Sequence, residues 1–237
     1  MHDIQRNAAD GGIDHAAYDD GLRAYMLRIF NLMAGGLGIT GLTAWFVAAS
    51  PDLSALLFDT PLHWVVILAP LAFVWVIASK AATASLPALR GMFWGFSALM
   101  GLSLASVFAV YTGESIARAF FITAATFAGA ALYGHTTKRD LANLGGFLMV
   151  GLIGLILASL VNLVLGSSAL GFALSVITVL VFPGLTAWDT QRLVAAYSAG
   201  WGNDANERLA IMGALSLYLN VINLFQAILG LSGSRSE

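Results

Sequence analysis

The chain contains no cysteine, and this absence removes several kinds of chemistry at once. It can form no disulfide, present no thiolate nucleophile and hold no metal through sulfur. Its four histidines, His2, His15, His63 and His135, lie too far apart in the sequence to form a metal-ligand motif. We therefore expect neither a zinc or iron site nor a bound cofactor.

Charge is also scarce. Charged residues make up 10% of the 237 residues, whereas they make up about a quarter of a soluble domain. Hydrophobic residues make up 59%, and the mean hydropathy is +0.82. The formal net charge of −2 gives no basic surface for a nucleic acid. This composition indicates a polytopic membrane protein that lies in a lipid bilayer.

Seven charge-free stretches approach or exceed the roughly 20 residues that a bilayer crossing requires. They are predicted to be helical, because backbone polar groups in lipid must pair within their own segment. The predicted fold is an all-α, seven-transmembrane-helix bundle with the seventh helix central. The stretches are 29–49, 61–79, 91–111, 119–134, 141–165, 169–188 and 209–231.

The ends of the chain are polar. Residues 1–28 hold a third of all charged residues, so we predict a cytoplasmic segment that is disordered to about Tyr18. The membrane domain is predicted over 29–231, and 232–237 form a short tail. A cleaved signal peptide is not expected, because its apolar region would have about 7–15 residues and the uncharged stretch here is longer.

Basic residues predict the orientation, since they concentrate in cytoplasmic segments. With seven crossings and a cytoplasmic N-terminus, only Arg118 and Arg235 of the 11 lysines and arginines fall outside. The N-terminus is therefore predicted inside and the C-terminus outside. The cytoplasmic set is Arg6, Arg23, Arg28, Lys80, Arg90, Lys138, Arg139, Arg192 and Arg208.

Asp189 is the acid that ends the longest charge-free stretch of the chain. The sixth and seventh predicted helices must run antiparallel, because a short turn joins them. Asp189 and Asn220 are equally distant from the middle of that turn, so they should face each other at one depth. An ionisable group placed so deeply indicates a functional site. Ser216, Asn220 and Asn223 form one stripe at helical spacing, which favours either an ion pathway or hydrogen bonds between helices.

Pro183 and Gly184 precede Asp189 by about one and a half helical turns. Proline inside a helix leaves a carbonyl unpaired and bends the axis. The pair is therefore either a tolerated bend or a hinge and gate beside the carboxylate.

Three segments closely resemble the Bax inhibitor-1 family, especially its bacterial members: YGHTTKRDL (133–141), LTAWDTQR (185–192) and ALSLYLNVINLF (214–225). The resemblance covers about residues 22–231. It implies a seven-helix protein of the bacterial inner membrane with a pH-sensitive calcium leak. Asp189 matches the aspartate of the family's sixth-helix motif. Asn220 stands where many members have a second aspartate that shares a proton with the first, so the chemistry of the pair does not transfer directly.

The predicted function is a passive, pH-modulated cation leak, with calcium as the expected ion, and not an enzyme. Asp189, Asn220, Asn223 and Ser216 are its predicted ion-pathway and pH-sensing residues, and Pro183 with Gly184 its gate. An intramembrane aspartyl protease is disfavoured because no second acid lies in an apolar stretch. The alternative is an interaction protein that binds a membrane-bound quality-control protease, as some bacterial relatives are thought to do.

Overall fold

The computed structural model describes residues 2–200 and 202–234, with side chains described from residue 17 onwards. It is helical, and no strand occurs in this part of the chain. The predicted disorder before Tyr18 falls mostly on residues whose side chains lie outside this description, and it stays a prediction. The helices are α1 His2–Ala48, α2 Pro51–Phe58, α3 Leu62–Lys80, α4 Leu86–Leu104, α5 Ser106–Val110, α6 Gly113–Thr136, α7 Ala142–Leu165, α8 Ser168–Ala196 and α9 Asn203–Ser232.

Seven helical segments among the described residues are long and apolar enough to cross a membrane, which confirms the predicted number. Their boundaries differ from the charge-free stretches because helices continue into the polar ends. The fourth crossing, predicted from 119, begins at Gly113, since the hydroxyl of Thr112 accepts the Ser115 N–H and caps the helix. The third crossing is α4 with α5, divided at Ala105.

Gly166, Ser167 and Ser168 separate the predicted stretches 141–165 and 169–188, and the helix ends at this point as predicted. Gly166 ends α7 with a φ of 62°, in the left-handed region that glycine adopts without strain. The hydroxyl of Ser167 then accepts the Leu170 N–H and caps α8. A reversal between α7 and α8 is thus encoded in two adjacent residues.

The last helix, α9, is the most buried of the membrane-spanning segments. Some 61% of its most apolar window is buried, against 11–33% for the other six. It packs against α8, α1, α6 and α4. Its neighbour α8 packs closely on α6 at Gly134. A Cβ placed on Gly134 would lie only 2.1 Å from the carbonyl oxygen of Ala187, so the glycine permits this approach. This backbone contact holds the segment of α8 that carries Asp189.

Two ends of the bundle can be distinguished. At one end α8 finishes and α9 begins, and we call it the α8–α9 end. Arg28 of α1, Arg90 of α4 and the C-terminus of α6 lie at the same end, because consecutive crossings alternate in direction. The short helix α2 lies at the opposite end.

Candidate ion-binding site

Asp189 lies in the interior of α8 with only 4% of its surface exposed. Two threonines beside it, Thr186 and Thr190, are fully buried, and each donates its hydroxyl to a carbonyl one turn earlier in α8. Their hydroxyl protons are therefore used within the helix. The partners of the carboxylate come from α9 and from one arginine of α8.

The predicted contact between Asp189 and Asn220 is present. Asn220 Nδ2 donates to Asp189 Oδ2 at 2.9 Å, and Ser216 Oγ donates to the same oxygen at 2.7 Å. Ser216 and Asn220 are four residues apart on α9, so their side chains point to one face. The equal distances from the turn placed them correctly, since α8 and α9 are continuous helices on both sides of it.

The other carboxylate oxygen is taken by Arg192. Its Nη2 donates to Asp189 Oδ1 at 2.8 Å, and its Cζ lies 4.8 Å from the ring centroid of Trp188. About half of the arginine side chain is exposed, at 51%, whereas the aspartate side chain is 5% exposed. The guanidinium thus connects a buried anion with the surroundings of the bundle. In the sequence Arg192 indicates only the orientation of the chain, although its spacing of three residues from Asp189 already allows the pair.

The polar stripe of α9 divides into two parts. Asn223, predicted to share the pathway, donates instead to the Leu219 carbonyl at 2.8 Å. With Gln226, Ser159 and Thr178 it lines a cavity of about 370 Å³ between α3, α4, α7, α8 and α9. This cavity lies on the side of Asn220 away from the α8–α9 end, because Asn223 and Gln226 follow Asn220 along α9.

Pro183 and Gly184 lie within a continuous α8, so the helix is not interrupted before Asp189. A Cβ on Gly184 would lie 2.7 Å from Leu148 Cδ1 of α7. The glycine therefore permits close packing of α7 on α8. The role of this pair as a hinge or gate stays a prediction.

A second buried carboxylate lies at the α8–α9 end and was missed. Glu207, with 7% of its side chain exposed, pairs with Arg28 of α1 and with Arg90 of α4. The next residue, Arg208, donates to the carbonyls of Ala81 and Ala84 at 2.8 and 2.7 Å. Glu207 lies between the predicted stretches 169–188 and 209–231, and nothing in its local sequence indicates partners more than 100 residues away.

The donor set around Asp189 contains oxygen atoms, and both carboxylate oxygens already accept hydrogen bonds. A hard cation prefers oxygen ligands, and calcium takes 6–8 of them. Asp189 and Ser216 supply carboxylate and hydroxyl oxygens, but Asn220 turns its Nδ2 to Asp189 and Arg192 neutralises the carboxylate. Among the described residues, no three histidine, aspartate or glutamate side chains come together as metal ligands. The arrangement suits transient contact with an ion better than a resident metal.

Seven apolar helices around a buried, hydrogen-bonded carboxylate define a multi-pass helical membrane protein. The chain belongs to the Bax inhibitor-1 family: the family model described as "Inhibitor of apoptosis-promoting Bax1" matches residues 22–237. A protein of Caulobacter vibrioides is 45% identical over 230 residues, with 92% of each chain covered. The inner membrane protein YbhL of Escherichia coli is 43% identical over 218 residues, covering 91% of this chain and 93% of YbhL. A Rickettsia prowazekii protein is 41% identical over 220 residues, with 93% of each chain covered.

Proposed function

We propose that this protein is a passive, pH-modulated cation leak, that calcium is the ion, and that it catalyses no reaction. The observation that carries the proposal is the hydrogen-bonded Asp189 carboxylate, 4% exposed between apolar helices. Acidic groups within membrane segments are rare and commonly belong to ion pathways. Membership of the Bax inhibitor-1 family supports the same proposal.

Polar groups on both sides of Asp189 support a continuous pathway. Towards the α8–α9 end, the half-exposed Arg192 side chain leads from the carboxylate to the surface of the bundle. In the other direction Asn220 is followed within one turn by Asn223, which lines the 370 Å³ cavity. Asp189 and Asn220 therefore form the contact between the half-exposed Arg192 and this cavity, and we propose that the pathway is narrowest there.

Weak coordination agrees with a leak. Conduction requires a site favourable enough for the ion to enter and weak enough for it to leave. Asp189 is the only acid that contacts Ser216 and Asn220 among the described residues, and Arg192 already neutralises it. Such a site would hold calcium briefly and release it.

Calcium flux into proteoliposomes tests the proposal, with Asp189→Asn as the variant. The amide oxygen can still accept from Ser216 and Asn220, so folding is retained, but the negative charge is lost. We expect flux to fall severalfold. Asp140→Asn is the matched control, because Asp140 is an exposed acid at the same end of the bundle. Wild-type flux in a well-folded Asp189→Asn protein would reduce Asp189 to a helix-packing residue.

We further propose that the protein lies in a bacterial inner membrane with its N-terminus in the cytoplasm. The inner-membrane location of YbhL supports the membrane, and the distribution of lysine and arginine supports the orientation. In this orientation the α8–α9 end, with Arg192 and Glu207, faces the cytoplasm.

A second candidate function is binding to a membrane-bound quality-control protease. The family match begins at residue 22, so the charged first 21 residues lie outside the shared region. A segment that precedes the family model could carry a partner-binding function without changing the bundle. Deleting residues 1–18 should then abolish co-purification of the protease and leave calcium flux unchanged, whereas retained co-purification would remove this candidate.

A further inference from the structure

A long groove separates α1 from α6. The two helices make little contact with each other, although both pack against α9. The half of the groove nearer the α8–α9 end has a volume of about 690 Å³, and the other half has about 460 Å³. Phe127 of α6 lines both halves and marks their boundary. Both volumes fall within the range of about 300–1,000 Å³ that is typical of small-molecule sites.

The groove is apolar along its length and polar at one mouth. Leu22, Met26 and Phe30 of α1 face Ala128, Ala131 and Leu132 of α6 across the larger half. Asp19, Arg23 and His135 line the same half near the α8–α9 end. The threonines of the other half, Thr40 and Thr123, donate their hydroxyls to backbone carbonyls.

The polar groups at the mouth are unpaired within the described part of the chain. Asp19, Arg23 and His135 are exposed, and none of their side chains makes a hydrogen bond or an ion pair with another described residue. Elsewhere at this end, Arg28, Arg90 and Arg192 are each paired with an acid. The charges at the mouth are therefore available to a ligand in the groove.

The dimensions match one leaflet of a bilayer. Ten helical residues rise about 15 Å, which is half of the roughly 30 Å hydrocarbon thickness. Starting at Arg23, that distance ends near Met33, where the larger half meets the smaller one. A lipid with its headgroup at Arg23 would thus lay its acyl chains along the apolar stripe as far as Phe127.

We propose that the larger half of this groove binds a phospholipid with a phosphate and a primary ammonium in its headgroup, as in phosphatidylethanolamine. Arg23 binds the phosphate, and a ring N–H of His135 donates to it, which a neutral histidine can also do. Asp19 binds the ammonium. The mouth carries one positive and one negative side chain, so a headgroup with both charges complements it better than an anionic one.

Native mass spectrometry of the full-length protein in detergent, titrated with lipids of identical acyl chains, tests the assignment. We expect phosphatidylethanolamine to bind about fivefold tighter than phosphatidylglycerol or phosphatidylcholine, the effect of about one charged side chain beside a headgroup. Arg23→Gln should weaken phosphatidylethanolamine by about the same factor. Asp19→Asn should reverse the preference in favour of phosphatidylglycerol. Lys80→Gln and Asp140→Asn remove charges outside the groove and should change nothing.

A steric pair of variants tests the location. Ala128 lines the groove and is exposed, so Ala128→Trp fills the space without disturbing the core and should abolish the lipid preference. Ala125→Trp, on an exposed position that does not line the groove, should leave the preference intact. Equal binding of the three lipids by the wild-type protein, an unchanged order in Asp19→Asn, or an unaffected Ala128→Trp would each overturn the proposal. None of these measurements depends on ion flux.

Discussion

Arg192 and Asp189 form an ion pair within one helix, with Arg192 Nη2 2.8 Å from Asp189 Oδ1. The acid is buried and the arginine is half exposed, so the pair runs from the interior of the bundle to its surface. Because a permeating cation would need the same carboxylate, Arg192 competes with it. In the proposed cation site, the Asp189 carboxylate therefore already has a positively charged partner, Arg192.

The first prediction follows from this competition. Arg192→Gln removes the competing charge, while Ser216 and Asn220 still donate to Asp189 Oδ2. We expect calcium flux in proteoliposomes to rise severalfold. Arg139→Gln is the control, since Arg139 is an exposed basic residue at the same end whose side chain makes no ion pair with a described residue. A fall in flux with Arg192→Gln would contradict this competition and would mean that Arg192 stabilises the conducting state.

The second prediction concerns Asn220→Asp. Asn220 Nδ2 lies 2.9 Å from Asp189 Oδ2, so the new carboxylate would lie beside the old one. Two such carboxylates cannot both ionise easily, and they bind one proton as a coupled pair. Flux through this variant should then rise more steeply with pH than flux through the wild-type protein, as the shared proton leaves and negative charge appears.

Asn223→Asp provides the matched control for that experiment. It introduces the same charge on the same helix, but Asn223 is directed to the Leu219 carbonyl and not to Asp189. Its pH profile should be less steep than that of Asn220→Asp. If Asn220→Asp and the wild-type protein gave superimposable curves in the same liposomes, the contact between positions 189 and 220 would play no part in pH sensing.

The third prediction concerns stability. Glu207 connects α1 and α4 to the first turns of α9 through Arg28 and Arg90. Removing one member of a fully buried ion pair costs about 3–5 kcal/mol, but both arginines are about half exposed and become hydrated when released. We expect Glu207→Gln to lower the free energy of unfolding in mixed micelles by about 1–3 kcal/mol.

Glu114→Gln is its control. Glu114 also pairs with an arginine, Arg118, but its side chain is 83% exposed. Exposed pairs contribute about 0–1 kcal/mol, so this variant should unfold close to the wild-type midpoint. Equal midpoints for both variants would mean that Glu207 does not hold the three helices together.

The fourth prediction is the topology. Asp59 and Ser234 lie at one end of the bundle, and Lys138 lies at the other, the α8–α9 end. The chain has no cysteine of its own, so single variants Asp59→Cys, Lys138→Cys and Ser234→Cys can be labelled in intact cells with an impermeant thiol reagent. Labelling is expected at 59 and 234 but not at 138. Labelling at 138 alone would invert the proposed orientation.

Much of the architecture could be derived from local sequence. Charge-free stretches predict the crossings because each charge within lipid is costly, and the glycine and serines at 166–168 predict the reversal between α7 and α8. Even the contact between Asp189 and Asn220 followed from counting residues on both sides of one turn. The reason is that continuous antiparallel helices convert sequence distance directly into depth.

The remaining features depended on the tertiary structure. Glu207 finds its partners on α1 and α4, more than 100 residues earlier in the chain, because three helices converge at one end. Asn223 belongs to the same stripe as Ser216 and Asn220, but it donates to a carbonyl of its own helix and not to Asp189. The groove between α1 and α6 exists because both helices pack on α9 and not on each other. Hydrophobic periodicity specifies which residues avoid water. In a bilayer, however, lipid and protein are equally apolar neighbours. Only the packed structure therefore decides whether a helix face contacts lipid or another helix.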